Sequence, residues 1–171
     1  MKPAIWQRLD GWARRLAPFL SALILLLLGT LPIRLPYLGP VAPDFAIMVA
    51  FYWAVHRPTS IPAGAIFLLG VVSDMLGGTP FGVGVLVLLV AYWTTRSQRR
   101  HFIGRPFWVV WWGYTMVSAV AAILTWVIVC LLYVQIVDPT PAFFSYLVGL
   151  GFYPLVSQFF TGAQRVAEGR A

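Results

Sequence analysis

From Leu16 to Ile33 the chain runs without one charged residue, and apolar stretches of the same kind recur along its 171 residues as far as Phe160. A helix crossing the hydrocarbon core of a bilayer needs about 20 mostly apolar residues. A soluble chain of this length builds one core, too small to hide several such stretches. Here 60% of residues are apolar and 10% charged, whereas soluble domains carry roughly a quarter charged residues. The surplus apolar surface requires lipid as its solvent.

The apolar runs predict an all-α, polytopic membrane protein of about six transmembrane helices, at Leu16–Ile33, Asp44–Val55, Ile61–Leu76, Phe81–Thr95, Phe107–Ile136 and Ala142–Phe160. Helix breakers fall between them: Pro32, Pro36 and Pro40; Pro58; Gly77, Gly78 and Pro80; Gly104 and Pro106; Pro139 and Pro141. The whole chain, 1–171, reads as one membrane domain, with an amphipathic leader at 1–15, a six-helix bundle at 16–160 and a tail at 161–171. In the leader, Ile5, Trp6, Leu9, Trp12 and Leu16 share a helical face. The apolar stretch behind it is long for a signal peptide and lacks a nearby small-residue cleavage site. The spans are unequal. The second is short, and Ser73 and Asp74 interrupt the third. A re-entrant hairpin is the alternative for this pair, but it leaves Arg57 at mid-bilayer, at a cost of roughly 2.5–3.5 kcal/mol. The fifth run would make a helix of about 45 Å against a core of about 30 Å, so it must tilt or bend.

Basic residues set the orientation. Of the 12 Lys and Arg residues, only Arg34 falls on the outer side when the N-terminus is inside, so the positive-inside rule places both termini in the cytoplasm. The net charge of +7 therefore reports topology. Its expected partners are anionic lipids rather than nucleic acid. Arg14, Arg15, Arg57, Arg99 and Arg100 are the expected anchors. Trp108, Trp111 and Trp112, at i, i+3, i+4 spacing beside Arg105, form the expected aromatic belt.

Of the five acidic residues, Asp44 and Asp74 adjoin apolar spans, where an ionisable group is a functional candidate. Asp44 follows Pro43 and is placed to N-cap its helix. Asp74 has two partners open to it: Arg34, or backbone donors around Gly77 and Gly78. Partner binding stays open for both aspartates. Acid/base or metal chemistry would need more ligands, and His56 and His101 belong to the opposite side. Cys130 stands alone, which rules out an intramolecular disulfide. The sequence contains no nucleotide-binding, hydrolase or zinc motif. No catalytic, metal or cofactor site is expected. Gly64, Gly70, Gly77, Gly78, Gly82 and Gly84 predict close approach of the third and fourth spans, Gly78 and Gly82 standing in GxxxG spacing.

The series Pro43-Asp44, Tyr52-Trp53, His56-Arg57-Pro58, Gly64, Phe67, Gly70, Asp74, Gly78, Phe81-Gly82 and Tyr92 resembles the MreD family, the small membrane component of the bacterial rod-shape system. The resemblance is best over residues 43 to 93. It implies a noncatalytic scaffold of the cell-elongation machinery in the cytoplasmic (inner) membrane that supports peripheral peptidoglycan synthesis. The implied partners are an MreC-like bitopic protein and, through it, MreB, RodA and a class B penicillin-binding transpeptidase. The family is also similar in fold to the S components of energy-coupling-factor transporters, which makes small-solute binding the alternative. Few polar side chains are available to line a solute pocket: Ser73, Asp74, Thr115, Ser118 and Thr125. The resemblance makes spans two to four the expected platform, with Asp44, Tyr52, Trp53, Gly70, Asp74, Gly78 and Gly82 as candidate partner-binding or packing residues.

Overall fold

The computed structural model describes residues 22–27, 34–35, 39–40, 44–56, 62–77 and 80–168, side chains at 34–35, 39–40 and 163–168 excepted. The expected leader, with Arg14 and Arg15, and also Arg57 and Gly78, lies outside the described residues. Those described form six helices: α1 (22–27), α2 (Phe45–His56), α3 (Ala63–Gly77), α4 (Val83–Gln98), α5 (Phe107–Tyr133) and α6 (Thr140–Glu168). Among the described residues, one short strand pairing accompanies the helices, in a stretch of sequence rich in proline, which breaks helices. There, β1 (Arg34–Leu35) pairs antiparallel with β2 (Gly39–Pro40), Arg34 opposite Pro40. α5 and the stretch Thr140–Gly162 of α6 are long and apolar enough to cross a membrane; α2 and α3 are apolar but shorter.

α2 is apolar around its whole circumference, the pattern of a helix enclosed on every side. Accordingly, all residues from Ala46 to Val55 are buried. Tyr52 and Trp53 belong to this core and not to an outer face. Around α2, α4 packs against α3, α2 and α5, and α5 packs against α6. Aromatic rings fill the centre: Tyr114 stacks on Tyr153 at 4.1 Å between centroids, and Phe51 meets both edge-on.

α5 has 27 residues, about 40 Å at 1.5 Å per residue. It stops short of the expected Ile136 because Val134 takes a left-handed conformation, φ 52°, rare for a β-branched residue. Trp126 Nε1 donates to the Val137 carbonyl at 2.9 Å and ties the following loop back onto the helix. In that loop, the Thr140 hydroxyl and backbone N–H both donate to Asp138 and hold its carboxyl below the usual range. α6 continues past Phe160, through the segment expected to be a tail, to Glu168. It does so despite Pro154, which has no N–H to offer the carbonyl four residues back. That carbonyl belongs to Leu150, and it accepts instead from Trp111 Nε1 at 3.3 Å. Substitute donors of this kind let membrane helices tolerate proline.

Candidate functional site

The polar groups collect at the two ends of the bundle. At the end where α3 finishes and α4 starts, Asp74 is 4% exposed. Its Oδ2 accepts from the backbone N–H of Gly82 at 2.8 Å and of Val85 at 3.3 Å, and its Oδ1 from that of Gly84 at 2.8 Å. The first N–H groups of any helix lack partners within it. An anion there also meets the positive end of the helix dipole. Asp74, though it belongs to α3, therefore caps α4. The sequence offered donors around Gly77 and Gly78; the structure supplies them one turn beyond Pro80. Gly82 makes the connection with φ +99°. A Cβ on Gly84 would collide with the Asp74 carboxylate, and one on Gly70 would stand 2.6 Å from Val85 Cα. Gly70 of α3 and Gly84 of α4 are thus consumed in packing these two helices together.

Asp44 stands at the same end but is exposed. It is the N-cap of α2, accepting from the Ile47 N–H at 3.1 Å. Beside it a cavity of about 110 Å³ opens between α2, α5 and α6, with Tyr114, Ser118, Thr125, Ser145 and Tyr146 among its walls. Ser118 and Thr125 donate to carbonyls four residues back in their own helix, the usual arrangement for hydroxyls inside apolar helices. The cavity shares Ala122, Ala142 and Tyr146 with an apolar cleft of about 250 Å³ along α5 and α6, which Ala119 also lines. This juxtaposition of Asp44 with an alanine seam was not read from the sequence. Its signal was present in the small residues of α5 facing the start of α6, but only the helix pairing shows which alanines meet.

The opposite end is basic. Arg99 Nε donates to the Val55 carbonyl at 2.9 Å, satisfying a carbonyl left open at the end of α2. Arg96 donates to the Tyr92 hydroxyl at 3.0 Å. Tyr52 stacks between His56 and Phe160. Arg100 is exposed. Of the three expected belt tryptophans, Trp108 and Trp112 are exposed at 66% and 59%, whereas Trp111 turns inward to Leu150. Among the described residues, no group of three His, Cys, Asp or Glu could hold a metal ion.

A family model described as rod shape-determining protein MreD matches residues 13–162. No solved structure matches the chain.

Proposed function

The chain belongs to the MreD family of membrane proteins that act in rod-shape determination, and from that premise we propose that it is a noncatalytic scaffold seating the single membrane helix of a bitopic, MreC-like partner. Through that partner it would serve MreB, RodA and a class B penicillin-binding transpeptidase in peripheral peptidoglycan synthesis. It would do so as a six-span protein of the cytoplasmic membrane with both termini inside, in an arrangement like that of the S components. The observation that carries the reading is the family match over residues 13–162.

The seat we assign differs from the platform expected of spans two to four. α2 is enclosed, and Gly70, Gly84 and Asp74 are engaged between α3 and α4. The alanine-lined cleft of α5 and α6 is open instead. Without a hydrophobic force between helices in lipid, association relies on small residues that let backbones approach. Asp44, the N-cap of α2, borders the polar cavity that opens onto this cleft, where its carboxyl can meet a basic residue at the end of the incoming helix. Asp74 has no such role.

Solute binding, as in the S components, has less support. Pockets for small molecules run to about 300–1,000 Å³ with convergent polar groups. The polar cavity at Asp44 measures about 110 Å³. A cleft of about 390 Å³ between α4 and α5 is lined almost wholly by apolar side chains.

Affinity purification of the tagged chain from native membranes separates the two readings. The scaffold reading expects a single-pass membrane protein with an extracytoplasmic domain, recovered several-fold less with Asp44→Asn. Recovery of transporter ATPase subunits in its place would overturn it.

A further inference from the structure

A cleft between α4 and α5 ends at the basic turn, and the function proposed above makes no use of it. Its volume is about 390 Å³. Along α5 it extends from Val109 to Leu124, about 22 Å at 1.5 Å per residue. One leaflet contributes only about half of a hydrocarbon core near 30 Å thick. The cleft is therefore long enough to take an acyl chain over the full depth of its leaflet. Ala91, Gly113 and Ala121 are among its lining residues. At its basic end Gln98 and Phe102 line it, next to the turn carrying Arg99, Arg100 and Arg105.

The arginines of this end differ in what they do. Arg96 and Arg99 are engaged within the chain, with the Tyr92 hydroxyl and the Val55 carbonyl. Arg100 and Arg105 are exposed and have no partner among the described residues. Trp112, exposed on the cleft wall, has the character of a residue at headgroup level. An apolar channel of leaflet depth, ending beside a turn that carries two exposed arginines, matches an amphiphile with a long apolar chain and an anionic head.

We propose that this cleft is a seat for an anionic glycerophospholipid, with one acyl chain lying between α4 and α5 and the headgroup phosphate on Arg100 and Arg105. The proposal rests on the reading that α4 and α5 cross a bilayer and not on the bitopic partner, so the two fail independently. The seated lipid would fill the gap between the helices and fix the height of the basic turn against the membrane surface.

The test uses the full chain purified in mild detergent, delipidated, and titrated with phosphatidylglycerol or phosphatidylcholine under native mass spectrometry. Each basic residue beside an anionic headgroup is worth about a five-fold change in occupancy, so phosphatidylglycerol should bind roughly 30-fold more tightly than phosphatidylcholine. The double variant Arg100→Gln/Arg105→Gln should lose that preference while keeping the weaker binding of both lipids. Met116→Trp, which fills the cleft from an exposed position, should reduce binding of both. Arg165→Gln, outside the 99–105 turn in the sequence, serves as the control for loss of one positive charge alone. Equal binding of the two lipids by the wild-type chain would overturn the proposal. So would a preference that survives the double variant, or retention of lipid by Met116→Trp with an unchanged unfolding temperature.

Discussion

Asp74→Ala is expected to abolish the folded monomer in detergent, or to lower its stability by about 3–5 kcal/mol, because three backbone donors lose a charged acceptor at once. The methyl group leaves the N–H groups of Gly82, Gly84 and Val85 without the acceptor they now share. Each buried donor left unsatisfied costs about 1–3 kcal/mol, against a total stability of only about 5–15 kcal/mol. Asp74→Asn keeps an acceptor oxygen but loses the charge at the start of α4, and about 1–2 kcal/mol is expected for that change. Thermal unfolding followed by circular dichroism ranks the three proteins. If Asp74→Ala unfolds like the wild type yet loses its partner, the residue belongs to a binding surface and not to the helix cap.

The second large effect lies at Gly70. A Cβ there would stand 2.6 Å from Val85 Cα, and that atom is backbone, held in α4 by the same helix start that Asp74 caps. The neighbour can give only if the two helices part. Gly70→Leu should therefore cost about 3 kcal/mol or more, and Gly70→Ala about 1–3 kcal/mol. Gly64 is the matched control, because nothing lies within 4 Å of a Cβ at that position on the same helix. Gly64→Leu should leave the unfolding temperature unchanged or raise it slightly, since glycine is a poor helix former. Equal effects of leucine at positions 64 and 70 would show that α3 and α4 do not approach as closely as the structure has them.

Much of this arrangement could be read from residue order. Proline and glycine clusters marked the starts of α3 to α6 to within a few residues, though not the far end of α6, and the unbroken apolar character of α2 is what an enclosed helix requires. Asp44 after Pro43 has the form of an N-cap. What could not be read were pairings between distant segments. Trp111 turns inward to the Leu150 carbonyl, which Pro154 leaves open on another helix. The i, i+3, i+4 spacing with Trp108 and Trp112 gives no hint of it. Arg99 reads as a lipid anchor until the end of α2 is seen beside it. For Asp74 the kind of partner was legible but its place was not, because the free N–H groups belong to the first turn of the next helix. The α5 and α6 cleft was missed because its alanines, Ala119, Ala122 and Ala142, are ordinary helix formers until two helices bring them together.

The scaffold reading seats the partner in that cleft, and it makes the partner's membrane helix sufficient for docking. A labelled peptide carrying only the partner's single membrane helix, titrated against the chain in nanodiscs, tests this directly. Saturable binding to the wild-type protein is expected, with at least a ten-fold loss for Ala122→Leu, which fills the seam, and no loss for Gly64→Leu. Binding that is absent for the helix alone, or that is indifferent to Ala122→Leu, would contradict the account.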